Sequence, residues 1–377
     1  MMIKIVADNK IPFLKGALEP FAEVLYISGR EISNEILKNA DALIIRTRTI
    51  CNKELLEHTK VKFIASATIG YDHIDIDYCK LKNIKWTNAP GCNSGSVMQY
   101  IASALVRLSI KYNFDFSEKT LGIIGNGNVG SKVSKAATAL GFRVLVNDPP
   151  LHRASLLDTH VSLKEIKEKA DIISLHVPLN MHGIDKTFRL VDQNFLKTIK
   201  PSSILINSSR GNVVDTNALK EALKKKFIKG VVLDVWKNEP HIDIELLDLV
   251  DFATPHIAGY SADGKAKGTA MSVQAISDFF GFGLKKWFPV NVPKPLNPVL
   301  AMDFAKKTER ELFSEMLLAT YDIQSDNERL KTSVETFEKQ REEYPLRREF
   351  ENYSIKSISR NKNFEERLQQ LGFRIER

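Results

Sequence analysis

Cysteine is scarce in this chain of 377 residues, which holds only Cys51, Cys79 and Cys92. An odd, sparse set excludes a disulfide framework and any four-cysteine metal site, and it fits a reducing, cytoplasmic setting; no metal is expected. Nowhere does an apolar run approach the ~20 residues that span a bilayer. The opening MMIKIVA lacks the anatomy of a cleavable leader, so no membrane association is expected. With 19 Gly and 14 Pro the chain is too poor in both to be collagenous or of low complexity. Basic residues outnumber acidic ones, 54 to 46. They are not gathered into a patch interleaved with aromatics, and no nucleic-acid partner is expected. Residues 301–377 carry 15 basic and 16 acidic side chains, so the surplus is scattered over the front of the chain. Its densest run, Lys224–Lys226, follows an apolar helical pattern and reads as lysines complementing a helix C-terminus. A basic balance of this kind suits an enzyme for acidic metabolites.

What the chain does have is alternation. Short β-branched runs read as buried parallel strands at Ile3–Ala7, Ala42–Ile45, Phe63–Ala67, Leu121–Ile124, Val144–Val146, Ile172–Leu175, Ile204–Ile206 and Val231–Val235. Amphipathic stretches lie between most of them. Asp215 is placed to cap one, and Gly141 to end the one over Val129–Leu140. Repeated βα units point to α/β architecture with doubly wound parallel sheets. The Gly/Asn/Pro-rich segment NAPGCNSG at 88–95 precedes a long helical pattern from Ser96 to about Lys111. Four prolines at 289–298 read as a semi-rigid linker. Beyond it, helical spacing returns over Phe304–Tyr321 and Phe364–Leu371, with Gly372 as a C-cap. So small a tail buries little surface alone and is expected to pack on the body or on another chain.

The strongest local signal is Gly125-Asn126-Gly127-Asn128-Val129-Gly130, which follows a strand and opens a helix. In that context the first glycine permits the tight turn and the second admits a pyrophosphate. The third allows close helix–strand packing, and the helix N-terminus holds negative charge. About 20 residues on, at the end of the next strand, Asp148 can accept hydrogen bonds from ribose hydroxyls and repel a 2′-phosphate, which favours NAD over NADP. Further along stand three polar residues after strands. Arg210 sits at a strand mouth and can clamp a carboxylate; tied to a helix C-terminus it would be purely structural. Glu239, in DVWKNEP, reads alone as a solvated loop carboxylate, and His256, in TPHIAGY, as a structural histidine. Together they make a machine: an imidazole that takes a hydroxyl proton, a carboxylate that orients it, and a guanidinium that holds the substrate.

Arg, Glu and His in that order after a dinucleotide fingerprint resemble the D-2-hydroxyacid dehydrogenase family. Ala89–Asn93, His176–Leu179, NSSRGNVVD at 207–215, LDVWKNEP at 233–240 and TPHIAGY at 254–260 extend the likeness over roughly residues 1–290. The resemblance implies two Rossmann-like domains with an active site in their cleft. Residues 1–95 plus 284–297 would bind substrate, 96–283 would bind NAD, and 298–377 would form a C-terminal α+β extension that makes a homodimer. It implies catalytic roles for Arg210, Glu239 and His256, the last as proton donor in the reducing direction. Substrate contacts fall on Thr47, Thr68 and Tyr260, and NAD contacts on Asp148, Val177, Asp234 and Gly259 beside the glycine-rich loop. Gln99 departs from the family's frequent Glu, and Thr47 stands where Ser is common. The block Ser66–His73, the PGCN segment, Gly264-Lys265-Ala266 and the long tail resemble a branch acting on a small phosphorylated hydroxy acid. Enzymes of the phosphoglycerate or glyoxylate type, and a non-enzymatic NAD-sensing corepressor on the same fold, stay open as alternatives.

A substrate phosphate calls for a cationic pocket. Arg46 and Arg48 flank Thr47 at a strand end, and all three share one side only if a turn begins there. Arg347 and Arg348 are further candidates, with surface pairing to Glu349 and Glu351 as the plainer expectation.

Overall fold

The computed structural model describes residues 2–155, 160–303, 307–357 and 361–376. The chain divides into two compact units, residues 1–93 with 261–293, and residues 94–260 with 294–377.

The first unit is built on five parallel strands in the order β2-β1-β3-β4-β5. They are β1 (Ile3–Asp8), β2 (Ala22–Ile27), β3 (Ala42–Ile45), β4 (Phe63–Ser66) and β5 (Lys85–Thr87). Its two faces bury separate clusters. Leu37, Leu43 and Ile64 belong to one, and Ile5, Leu18 and Ile44 to the other, as alternation along parallel strands requires. The second face is closed by the helix Ala262–Phe280, which brings Val273 and Ile276 into the core. That helix approaches β4 so closely that a Cβ on Gly268 would meet the Ala67 carbonyl at 2.5 Å. Packing therefore groups residues 261–283 with this unit, whereas the sequence reading placed them in the cofactor half.

The second unit holds six parallel strands ordered β11-β10-β9-β8-β6-β7. These are β6 (Thr120–Ile124), β7 (Arg143–Asn147), β8 (Ile172–Leu175), β9 (Ile204–Asn207), β10 (Gly230–Leu233) and β11 (Phe252–Ala253). The order in which strands are added reverses between β6 and β8, the switch point beside which ligands bind at the carboxyl ends of the strands. All eight expected strands are present. The expected helices follow, at Ser94–Tyr112, at Gly130–Leu140 with left-handed Gly141 as C-cap, and at Thr216–Lys224 capped by Asp215.

The C-terminal extension is packed onto this unit. Its three parallel strands, β12 (Val299–Met302), β13 (Ser354–Ser357) and β14 (Arg374–Glu376), give it the expected α+β character, although the sequence reading placed no individual strand there. Helices Glu309–Thr320 and Lys362–Leu371 form as expected, the latter ending on left-handed Gly372; Phe304 lies outside the described residues. Phe313 packs against Phe364 in a tilted pair with ring centroids 4.5 Å apart and meets Phe116 edge-on, so one apolar core runs from the cofactor sheet into the tail. Arg347 and Arg348 are buried instead of lying on the solvated surface that was expected: Arg348 gives its carbonyl to Gln99, and Glu349 accepts from Ser96 at 3.0 Å.

Candidate active site

The glycine-rich loop leaves β6 as its sequence requires. Gly125 sits at φ +93, and a Cβ there would strike the His176 carbonyl at 2.4 Å. On Gly130 a Cβ would lie 1.9 Å from the Gly125 carbonyl, so only glycine lets the helix start against the strand. At Gly127 a Cβ would meet nothing within 4 Å. Gly127 and Asn128 are exposed at the N-terminus of an 11-residue helix, and Val129 precedes its first turn. The loop is thus a cradle of exposed backbone at a helix N-terminus, which fits a pyrophosphate. Asp148, just past the end of β7, accepts from the Asn126 N–H at 2.7 Å and from the Leu151 N–H at 2.9 Å. Those bonds fix the carboxylate beside the loop, where a ribose would need it. Val177 lies against Gly125, within 3.0 Å of the position its Cβ would take. The residues present fit NAD.

The catalytic candidates come from the carboxyl ends of β9, β10 and β11. Past β9, Asn207 organises the turn: its Oδ1 accepts from Ser209 N–H and Oγ–H, and its Nδ2 donates to the Arg210 carbonyl at 3.0 Å. Arg210 is half-buried, with Nη1 on the Ser209 carbonyl. The next residue, Gly211, touches the loop after β10, since a Cβ there would meet the Trp236 backbone at 2.1 Å. This close approach sets the Arg210 turn against the loop that carries Glu239.

Glu239 and His256, 17 residues apart, are brought together: His256 Nδ1 lies 2.7 Å from Glu239 Oε2. The other oxygen, Oε1, accepts from the Trp236 N–H at 2.8 Å. Burial acts to raise the Glu239 carboxyl, but the charge and hydrogen bond of His256, the Trp236 N–H and the Arg341 cation outweigh it and hold it below its ordinary value. With Nδ1–H assigned to the carboxylate, Nε2 is the ring nitrogen left for a substrate.

His256 itself is left-handed, φ +57, which is uncommon for a side chain of this size. The conformation is fixed from below by Asp234, whose buried carboxylate accepts from the N–H groups of Ile257 (2.7 Å) and Ala258 (2.9 Å) and from Thr254 Oγ1 (2.6 Å). Its main-chain carbonyl takes the His256 N–H at 2.7 Å. Asp234, expected to touch NAD, therefore has a structural task as well. Gly259 and Tyr260 follow, and the Tyr260 ring meets Tyr344 edge-on at 5.8 Å. Tyr344 and Arg341 of the extension were missed as neighbours of the site; they sit in a charged stretch with no local signal that sets them apart.

In the first unit, a turn does begin after β3: Thr47 is exposed within it, and Arg46 is half-buried. Arg46 is gripped by Asp8, with Nε and Nη2 donating to its two oxygens at 2.9 and 3.3 Å. Asp8 also escaped notice, although an acid closing an otherwise apolar strand is a readable sign. Thr68 Oγ1 bonds Ser66 Oγ (2.9 Å) and donates to the Gly70 carbonyl (3.2 Å). All three cysteines are buried free thiols, and no helix among the described residues is long and apolar enough to cross a membrane.

Comparison with known proteins gives a consistent picture. Residues 105–258 match the family described as D-isomer specific 2-hydroxyacid dehydrogenase, NAD binding domain. Residues 295–372 match a domain of unknown function, DUF3410. The chain is 49% identical to an erythronate-4-phosphate dehydrogenase of Bacteroides thetaiotaomicron, covering 94% of this chain and 100% of that one. It is 38% identical to the enzyme of that name from Hahella chejuensis, over 99% of both. Among solved structures, the NAD-bound 3-phosphoglycerate dehydrogenase of Entamoeba histolytica has a TM-score of 0.64 at 27% identity, covering 77% of this chain and 99% of that one. D-lactate dehydrogenase from Aquifex aeolicus, complexed with NAD and lactic acid, gives 0.61 at 26%, covering 78% and 100%.

Proposed function

Because this chain belongs to the erythronate-4-phosphate dehydrogenases, a branch of the D-isomer specific 2-hydroxyacid dehydrogenases, we propose a division of labour among its residues for that reaction. The enzyme oxidises 4-phospho-D-erythronate to 2-oxo-3-hydroxy-4-phosphobutanoate with NAD, a step of pyridoxal 5′-phosphate biosynthesis. Held by the glycine-rich loop and Asp148, NAD would supply the acceptor for a hydride from the substrate's C2.

The chain's own residues handle the rest. His256 takes the C2 hydroxyl proton on Nε2 as the hydride leaves, which is general-base work at the nitrogen that Glu239 does not occupy. Glu239 steadies the imidazolium so formed. Arg210 pairs with the substrate carboxylate through parallel hydrogen bonds and polarises the oxygen at C2. Gly125, Gly127, Asn128, Val129 and Gly130 hold the pyrophosphate, Asp148 the ribose hydroxyls, and Val177 and Gly259 line the cofactor. Thr47, Thr68 and Tyr260 contact substrate, and Arg46 contributes to the phosphate. The observation that carries this reading is the 2.7 Å contact between His256 and Glu239, one loop away from Arg210. A homodimer formed through residues 298–377 and a cytoplasmic location belong to the same proposal; exposed Val299 and Leu346 support the first, and buried free thiols the second.

The experiment is NAD reduction measured side by side with 4-phosphoerythronate, 3-phosphoglycerate and unphosphorylated erythronate. The first should be turned over with by far the highest kcat/KM. Equal or better turnover of 3-phosphoglycerate would overturn the substrate assignment.

A further inference from the structure

Arg347 belongs to the C-terminal extension, 91 residues beyond the catalytic histidine in sequence, and it is 4% exposed. A buried cation is expensive to keep unless it is paired or put to use. No carboxylate pairs with it directly among the described residues. Its guanidinium lies over the Tyr321 ring at 4.4 Å, and Nε and Nη1 find no hydrogen-bond partner there. Nη2 is the arm in use: it donates to the carbonyls of Ala258 at 2.5 Å and Ile257 at 3.3 Å.

Those two carbonyls belong to the residues whose N–H groups are held by Asp234. The strip just after His256 is therefore gripped from both sides, a carboxylate on its donors and a guanidinium on its acceptors. Arg347 is in turn held in place, because Gln99 bonds the Arg348 carbonyl at 2.9 Å and Glu349 bonds Ser96, both on the long helix Ser94–Tyr112.

We propose that Arg347 is a positioning residue for the dehydrogenase reaction: it locks the carbonyl side of residues 257–258 and so keeps His256 in the left-handed conformation from which Nδ1 meets Glu239. The inference rests on the assignment of His256 as acid–base. It gives the extension a part in turnover within its own chain, separate from any role in assembly. The charged and titratable groups around this loop are Glu239 on the ring, Asp234 beneath the backbone, Arg341 near Glu239, and Tyr321, Tyr344 and Asp326 around Arg347.

The test uses the full-length enzyme as wild type, Arg347→Met and Arg347→Lys. Three readings are taken: kcat and KM for 4-phosphoerythronate against pH, NAD affinity, and the downfield proton resonance of the His256–Glu239 hydrogen bond in enzyme labelled with ¹⁵N-histidine. In Arg347→Met, kcat should fall about 10–100-fold, the scale of a misplaced catalytic group. NAD affinity should stay within about twofold, the acid limb should move to lower pH, and the resonance should broaden or vanish. Lysine can reach one carbonyl and should fall between the two. If Arg347→Met does not fold, an intermediate limb and a weakened resonance in Arg347→Lys carry the test. A resonance and acid limb that overlay wild type, whatever happens to thermal stability, would overturn the proposal. Absence of wild-type turnover would instead sink the functional assignment, while the resonance still reports on the clamp.

Discussion

At the scale of single residues, the partnership of His256 and Glu239 makes the sharpest demands. Replacing Glu239 with Gln removes the counter-charge of the imidazolium, so the ring gives up its proton more readily. In the oxidising direction the neutral ring is the active form, and the acid limb of kcat/KM should therefore move to lower pH; His256→Ala should cost roughly 10²–10⁴ in kcat. Glu239 also bears on folding. Its carboxyl is held below the ordinary 4.5, so the stability it contributes is present above that pH and is lost as pH falls through the lowered value. A second expectation concerns Arg46. Asp8 is wholly buried beneath it, and Arg46→Ala would take the counter-charge from that carboxylate, which keeps the Lys10 N–H at 2.8 Å. Chemical denaturation should register a loss of about 1.5–3 kcal/mol, and KM should rise for 4-phosphoerythronate more than for erythronate. Equal rises would confine Arg46 to holding the fold. Arg210, Glu239 and His256 were each readable only as ambiguous polar residues at strand ends. Read together they form a set in which Glu239 orients His256; what was not readable is the geometry of that meeting, which depends on two loops and on Asp234 fixing an uncommon backbone conformation. Arg347 misled for the opposite reason: its neighbours in sequence are charged, and its burial comes from helices far away along the chain.

At the scale of elements, the strands that were legible are those with continuous apolar runs, the edge strand Arg143–Asn147 among them. Among those missed, Ala22–Ile27 is mostly half-exposed, Phe252–Ala253 has two residues, Ser354–Ser357 is polar at three of its four positions, and Arg374–Glu376 is largely exposed. The loop–helix junction of the cofactor site was legible in full, since its glycines answer to local sterics. They make separable predictions. Gly127→Ala meets open space, so the protein should melt like wild type while NAD binds more than about tenfold more weakly, or 1.4 kcal/mol, by calorimetric titration. Gly130→Ala instead drives a methyl group into the Gly125 carbonyl, and stability should fall by about 1–3 kcal/mol or more whether or not NAD is added. Equal melting curves for the two variants would refute the steric distinction.

At the scale of the whole molecule, the extension is not an appendage. Phe313, Phe350 and Phe364 are each no more than 1% exposed and share a core with Leu121, Phe116 and Leu140 of the cofactor unit. Removing residues 294–377 would uncover that apolar face. The truncated chain should aggregate or show a molten profile by near-UV circular dichroism, and a sharp two-state melt would contradict the shared core. The linker at 289–298 was legible as a change of character, but the destination of the tail was not. Nothing in its amphipathic helices names the surface they cover.

Synthesis proceeds from the N-terminus, and domains form as units while the chain emerges. Yet Ser96 waits for Glu349, 253 positions later, and the catalytic loop waits 90 positions for Arg347. A nascent chain can complete its glycine-rich loop long before it can seat its histidine. Ribosome-bound chains halted before residue 347 should thus hold cofactor poorly organised for turnover, with competence arriving only once Arg347 has cleared the exit tunnel.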